Sequence, residues 1–168
     1  KLQVDRFGFV ESDKSDRNSH FFDASVLNAY NAVERRVQAP TYVSLSLDGS
    51  TYDPATKKLS ITLSGEVTKD LPYLRANVFI TQSGISAYQA GQSDYIHDEV
   101  SRDYLMNNVL GDPLTVNSDG TYCVRFEKTL SDKYGNVAID PANMKVVAFV
   151  ESTCNSENGY YEQDFSTY

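Results

Sequence analysis

The chain has 168 residues, of which 40% are hydrophobic and 23% charged, the composition of a globular domain large enough to bury a core. Its formal net charge of −8 argues against nucleic acid and against an anionic membrane as partners, because both attract basic patches. No apolar run approaches the roughly 20 residues with which a helix crosses a bilayer. Because Lys1 is not an initiator methionine and no signal peptide follows it, we expect a processed or excised chain whose lipid anchor, if it has one, lies elsewhere.

Residues 1–40 are predicted to form an N-terminal segment that ends in a helix over 23–39. Asp23 is a suitable N-cap, and Pro40 disfavours helical backbone at the residue before it. An apolar stripe along this helix is expected to face a core. Its members are Val26, Tyr30, Val33 and Val37.

From Tyr42 onward the hydrophobic period changes from about 3.6 to about 2, which predicts a β-sandwich domain over 41–168. Two alternating runs, 43–47 and 59–67, are predicted to pair antiparallel across a turn. Three further strands are predicted at 74–80, 122–126 and 144–150, the last being the most apolar and therefore central and buried on both faces. The expected fold class is mainly β, an immunoglobulin-like or jelly-roll-like antiparallel sandwich with one N-terminal helix.

The stretch 93–114 separates the two blocks of strands and carries His97, one of two histidines. A repeat at helical spacing runs through it: Ile96, Val100 and Tyr104. Asp98 and Arg102 would also pair at i, i+4 on a helix. As an extended segment the alternation is poor, because Asp98 interrupts the apolar face. The residues therefore favour at least a short helix here.

Part of this stretch resembles a segment of a known family. The sequence YIHDEVSR at 95–102 fits a Y-hydrophobic-H-x-x-V-x-R pattern, and Val-Leu-Gly-Asp follows at 109–112. That pattern is similar to the C-terminal part of the Omp28-related outer-membrane-protein family, a group of exported lipoproteins of the Bacteroidetes type. Two further matches occur in the family's order: a VVAFV strand at 146–150, and a linker and first hairpin at 39–40 and 52–59.

The resemblance implies an exported protein of the cell envelope, outer membrane or cell surface. It implies that the helix over 23–39 is the tail of a thioredoxin-like domain that is missing from this chain. It also implies a more extended conformation for 93–110 than the helical interpretation gives.

Four residues of the stretch are the candidate binding residues. The resemblance makes His97 and Arg102 candidates for a structural or binding role, with no named ligand. Tyr95 and Tyr104 are added because exposed tyrosines favour carbohydrate or protein contacts. The alternative is that these tyrosines simply occupy the faces and edges of a sandwich, which suit this residue type.

Cys123 and Cys154 are a candidate disulfide. If the loop 132–143 joins two neighbouring antiparallel strands, it brings the two residues close together. The bridge would close a loop of about 30 residues and stabilise the domain by roughly 3 kcal/mol in the chain-entropy model. It would also indicate an oxidising compartment. The alternative is two unrelated thiols.

No motif predicts a catalytic residue, a metal site or a cofactor: the chain has no G-x-S-x-G, no H-E-x-x-H and no phosphate loop. His97 and the two acids after it are consecutive, so they do not present ligands on one face. The acidic turns at 117–121 and 132–136 lack the glutamate that closes a calcium loop. Ordinary turns explain both better.

These observations favour a non-enzymatic β-sandwich module that binds a protein or glycan ligand. Two alternatives stay open. A hydrolase acting on glycans or peptides would show paired carboxyl groups, one with a strongly raised pKa. A calcium-stabilised adhesion module would show a higher melting temperature when calcium is added.

Overall fold

The computed structural model describes residues 40–152 together with 30, 31, 33, 34, 37, 38, 166 and 167. In this part of the chain the structure is mainly antiparallel β, as the alternation predicts. The strands are β1 Thr51–Asp53, β2 Lys58–Glu66, β3 Leu74–Gln82, β4 Ile85–Gln89, β5 Gln92–His97, β6 Val100–Tyr104, β7 Asp112–Pro113, β8 Thr121–Thr129, β9 Lys133–Tyr134, β10 Val137–Ala138, β11 Met144–Ser152 and β12 Ser166–Thr167. A 3-10 helix at Pro141–Asn143 precedes β11.

Two sheets form the body of the domain. The first sheet has the order β1-β2-β8, and the second has the order β12-β11-β3-β6, with β7 also paired to β3. The strand pairs β2–β8 and β3–β11 each run over nine residues. The remaining strands form two small ribbons, β4–β5 and β9–β10.

The predicted pairing between 43–47 and 59–67 is confirmed, although it consists of two isolated bridges rather than a continuous ladder. Ser44 N donates to Glu66 O at 2.9 Å, and Ser46 N donates to Ser64 O at 2.7 Å. Gly65 lies opposite this crossing, where an added Cβ would stand only 2.0 Å from Ser44 O. The close approach of the two backbones therefore requires glycine at this position.

Apolar side chains of the two sheets meet between them and form one core. The first sheet contributes Leu59, Ile61, Leu63, Tyr122 and Phe126, and the second contributes Leu74, Ala76, Val78, Ile80 and Val150. The alternation predicted for 122–126 is confirmed, since Cys123 and Arg125 lie exposed on the opposite face. Burial of large apolar side chains, at about 1.5–3 kcal/mol each, thus holds the sheets face to face.

The most buried strand is β3, and the prediction that 144–150 is buried on both faces is wrong. Every residue of β3 except the half-buried Phe79 is buried, whereas Lys145 and Val147 of β11 are exposed. β3 has β11 on one side and β6 with β7 on the other. In the described part of the chain, β12 covers only the last two residues of β11.

The helical interpretation of 93–114 is wrong. The stretch forms most of β5, a tight turn at Asp98 and Glu99, and then β6, which pairs with β3. Glu99 has a φ of +54°, a left-handed value that breaks a helix and reverses the chain. Hydrogen bonds to a distant strand, which local periodicity does not report, decide this conformation.

Most of the predicted helix over 23–39 lies outside the described residues. Its described members at 30, 31, 33, 34 and 37 have helical backbone, and Gln38 N donates to Glu34 O at 3.1 Å. Tyr30, Val33 and Val37 of the apolar stripe are exposed. An amphipathic stripe indicates that a helix has an apolar face, and it does not specify what covers that face.

Candidate functional site

The β4–β5 hairpin is an outlying ribbon that pairs with neither large sheet. It carries three large exposed side chains, Tyr88, Tyr95 and Ile96, whose exposed fractions are 74%, 42% and 52%. Ile85, in the first position of β4, is buried and anchors the base of the ribbon. Tyr95 and Ile96 are adjacent on β5 and therefore face opposite sides of the ribbon. The ribbon thus exposes large apolar or aromatic side chains on both faces, a composition that suits contact with another protein.

Tyr95 and His97 lie on one face of β5, two residues apart. Their ring centroids are 4.8 Å apart and the rings meet edge to face at 70°, a favourable aromatic arrangement. They stand opposite Ala87 and Ile85 of β4. The structure therefore brings together two of the four predicted binding residues.

Arg102 points away from the ribbon because it sits at a register shift between β3 and β6, and such bulges re-aim side chains. Its Nη2 donates to the carbonyl oxygens of Tyr134 at 3.2 Å and Val137 at 3.0 Å. The guanidinium also lies 5.6 Å from the centre of the Tyr134 ring. Arg102 is thus engaged in holding the β9–β10 ribbon against β6.

Tyr104 belongs to a different group, centred on Asp103 and Lys128. Lys128 Nζ lies 2.6 Å from Asp103 Oδ1, donates to Tyr104 O at 2.7 Å and lies 5.3 Å from the Tyr104 ring. The hydroxyl of Tyr134 donates to Asp103 Oδ2. The structure therefore divides the four predicted residues between two places.

The electrostatics of this group follow from its partial burial. Burial alone would raise the pKa of Asp103, but the hydrogen bonds from Lys128 and Tyr134 outweigh it and lower that pKa below 3.8. Burial and the hydrogen bond to Asp103 together raise the pKa of Tyr134 to about 12. Asp103 is held as a carboxylate and Tyr134 as a neutral phenol.

Sequence reasoning missed this group because its members are far apart along the chain. One feature of the sequence does indicate this group. Lys128 continues the alternation of Tyr122, Val124 and Phe126, so it occupies a position that faces inward. A lysine at such a position needs a partly buried anionic partner.

Two carboxyl groups, Glu99 beside the β4–β5 ribbon and Glu127 on the first sheet, have lowered pKa values. The hydrogen bond from Lys145 lowers the pKa of Glu99, and the hydrogen bond from Lys58 lowers the pKa of Glu127. A general acid at neutral pH requires the opposite shift. Glu99 is further held by hydrogen bonds from Thr81 at 2.9 Å and Ser83 at 3.4 Å.

The acidic side chains of the two turns already have partners within the domain. Asp119 Oδ1 accepts from the backbone N of Thr121 at 3.0 Å and from its hydroxyl at 2.7 Å. Asp132 forms an ion pair with Lys57. Within the described residues, no three His, Cys, Asp or Glu side chains are grouped as a metal ion requires.

The reasoning that placed the two cysteines on neighbouring strands is wrong. Cys123 is on β8 in the first sheet, exposed on the face that points away from the core. The strand that leads towards Cys154 is β11, in the second sheet. Cys154 itself lies outside the described residues, so the disulfide stays a prediction.

Comparison with known families decides what kind of protein carries this fold. The family profile of Outer membrane protein Omp28 matches residues 11–159. The chain belongs to the Omp28 family. Membership gives it an envelope, outer-membrane or surface location. It also agrees with the extended conformation of 93–110, which the resemblance implied and the residues alone did not.

The Omp28-family fold is shared with a solved structure, HBP35 of Porphyromonas gingivalis. The two superpose with a TM-score of 0.65 at 18% sequence identity, over 80% of this chain and 43% of that chain. The chain thus spans less than half of the protein it matches. At this identity the similarity shows a common fold alone. No curated protein matches the sequence, and none of the described helical segments is long and apolar enough to cross a membrane.

Proposed function

We propose that this Omp28-family chain is a non-enzymatic protein-binding module of the cell envelope, with the β4–β5 ribbon as its contact surface. The observation that carries the proposal is the exposure of Tyr88, Tyr95 and Ile96 on a ribbon outside both sheets. Tyrosine is enriched at the centres of protein interfaces, where a few aromatic side chains supply much of the binding free energy. The contact between Tyr95 and His97 holds one of these rings in place before a partner arrives.

The charge of the ribbon indicates the kind of partner. The segment 83–99 contains Asp94, Asp98 and Glu99 but no lysine or arginine. Glu99 is paired with Lys145, while Asp98 accepts a hydrogen bond from Gly84 N at the turn. The surface is therefore apolar with an acidic rim. Its complement is a protein surface with apolar pockets bordered by lysine or arginine.

The proposal also includes the domain organisation and a membrane anchor. We place a β-sandwich domain over 41–168 and an N-terminal segment over 1–40, the latter the tail of a thioredoxin-like domain. A lipid anchor outside this chain would hold the module at the membrane. The resemblance to exported lipoproteins supports both features.

Site-specific photo-cross-linking of the full-length protein in its native host tests the ribbon. A photoreactive residue is placed at Tyr88 or at Ile96, and a matched control is placed at Ala55, which is exposed in the turn between β1 and β2. We expect one discrete adduct of the same mass from positions 88 and 96 and none from 55. Asp94→Lys combined with Asp98→Lys should weaken that adduct, because it reverses the rim charge.

Equal cross-linking from all three positions would contradict the proposal, as would no adduct from either ribbon position. The calcium alternative is tested separately by the melting temperature. We expect no change when calcium or a chelator is added, because Asp119 accepts hydrogen bonds from Thr121 and Asp132 pairs with Lys57. A calcium-dependent rise would favour the adhesion alternative.

A further inference from the structure

A cleft of about 590 Å³ opens at the opposite end of the sandwich from the ribbon. The ribbon follows the last residue of β3, Gln82, whereas the cleft lies beside the first, Leu74. A strand of nine residues spans roughly 30 Å, so the two sites are separate. We propose that this cleft binds a saccharide.

The two walls of the cleft are pinned to the body of the domain. The loop before β3 is held by a hydrogen bond from Val67 N to Gly120 O at 2.8 Å and by one from Thr68 N to Tyr42 O at 2.9 Å. The facing segment is held by Leu114 N, which donates to Leu74 O at 2.8 Å. The cleft is thus formed in advance, and its volume falls in the range of about 300–1,000 Å³ typical of small-ligand sites.

Tyr73 stands at the cleft with a φ of +47° and an exposed fraction of 51%. A left-handed conformation is a true outlier for a bulky residue and strains the backbone. The backbone just before it is fixed because Ser152 Oγ donates to Pro72 O at 2.6 Å. The fold therefore maintains a strained backbone at an aromatic residue that lines the cleft.

The lining is amphipathic in the way that a sugar ring is. Leu71, Leu114 and Val116 supply an apolar surface, while Asp70 and Asn117 supply hydrogen-bond acceptors and donors. A pyranose has one apolar face that packs against a tyrosine ring, and its hydroxyl groups both donate and accept. A lipid chain would instead favour a closed, uniformly apolar pocket.

An array of immobilised oligosaccharides tests the proposal with the full chain. The array covers neutral hexose, N-acetylhexosamine and uronic-acid types, and it includes a panel of extended peptides as the competing class. We expect binding to at least one saccharide. The Tyr73→Asn variant should lose at least tenfold in affinity, while Tyr73→Phe, which keeps the ring, should retain the affinity within threefold.

The Tyr73→Asn variant is chosen because asparagine tolerates the left-handed backbone, so loss of binding reports on the ring rather than on the fold. As a second measurement, backbone amide shifts of the wild-type chain are followed by NMR as the bound saccharide is added. They should move within 67–74 and 113–120 only. The ribbon variant Tyr88→Ala should bind the saccharide normally, so failure of the protein-binding proposal would leave this result intact.

Binding to no saccharide would overturn the inference, and so would binding that Tyr73→Asn leaves unchanged. Binding to the peptides alone would assign the cleft to a different ligand class. Amide shifts confined to the ribbon would also overturn it.

Discussion

Lys128 on β8 and Asp103 on β6 join the first sheet to the second through an Nζ to Oδ1 distance of 2.6 Å. The exposed fractions of their side chains are 33% and 13%, so solvent screens this ion pair less than one on the open surface. The hydroxyl of Tyr134 donates a hydrogen bond to the second carboxylate oxygen of Asp103, and Tyr104 O accepts one from the Lys128 ammonium. The pair is thus hydrogen-bonded on both sides, which is the condition under which a partly buried charge stabilises a fold.

Asp103→Asn should lower the free energy of unfolding at pH 7 by about 1–3 kcal/mol, because it leaves Lys128 partly buried without its anion. The pKa of Asp103 is lower in the folded protein than its ordinary value. The carboxylate therefore contributes its full stabilisation above about pH 4, and this is lost as the pH falls through the folded-state pKa.

Urea denaturation between pH 7 and pH 3 checks this prediction. The wild-type chain should lose more stability over this range than Asp103→Asn does. Asp94→Asn serves as a control, because Asp94 is exposed on β5 and its variant should keep the pH profile of the wild type. Parallel pH profiles for wild type and Asp103→Asn would contradict the role assigned to the pair.

Arg102→Ala should destabilise the β9–β10 ribbon by about 2 kcal/mol, because two charge-assisted hydrogen bonds to backbone carbonyls are lost. Arg102→Lys should restore only part of this, since an ammonium lacks the planar guanidinium that also lies by the Tyr134 ring. Faster hydrogen exchange around Tyr134 and Val137 would report the loss. By contrast, Tyr95→Ala should change the free energy of unfolding by less than about 0.5 kcal/mol.

The comparison separates a structural residue from a contact residue. If Tyr95→Ala were the more destabilising change, it would be wrong to assign Tyr95 to a contact surface and Arg102 to a structural role.

Gly65→Ala should cost at least about 3 kcal/mol. The added Cβ would stand 2.0 Å from Ser44 O and 2.8 Å from the Tyr122 hydroxyl, which donates to Ser44 O at 2.6 Å. Backbone on one side and a buried ring on the other leave little room to relax. Chemical denaturation measures the effect.

Gly84→Ala is the matched control for Gly65→Ala. An added Cβ there meets nothing within 4 Å, so only its φ of +74° is unfavourable, at about 1 kcal/mol. Equal losses in the two variants would show that the first sheet moves to accommodate the methyl group.

We expect zero free thiols in the denatured, unreduced protein at monomer mass, which corresponds to a bridge between Cys123 and Cys154. The envelope location of the family supports this expectation because disulfides persist in oxidising compartments. Reduction should then lower the free energy of unfolding by roughly 3 kcal/mol. Two free thiols would return both cysteines to the unpaired alternative.

The strand predictions at 59–67 and 122–126 followed from alternation, because one face of each strand packs on the core and the period of 2 survives in the sequence. The helix predicted for 93–114 was wrong because this stretch lacks such a buried face. Its pattern of Ile96, Val100 and Tyr104 is spaced like a helix, yet Ile96 and Tyr104 are exposed on strands. Where few side chains enter the core, periodicity carries little information, and pairing with β3 determines the conformation.

The same limit applies to the candidate site residues. Tyr95 and His97 come together because i, i+2 neighbours share a face of a strand, an arrangement that the helical prediction for 93–114 does not give. The separation of Arg102 from them depends on a bulge, and the grouping of Asp103 with Lys128 depends on which strands oppose each other. Neither can be read from one sequence, since both are consequences of pairing across long separations.

Because these pairings join residues that are far apart in the sequence, they also set the order of events when the chain is made and exported. Asn77 and Glu151, hydrogen-bonded across β3 and β11, are 74 positions apart, and Ser44 and Tyr122 are 78 positions apart. The second sheet cannot close until β11, which ends at Ser152, has emerged, and non-local pairing of this kind is slow. A chain in transit therefore stays open until its last third arrives, a state suited to passage through a membrane and dependent on protection from aggregation until then.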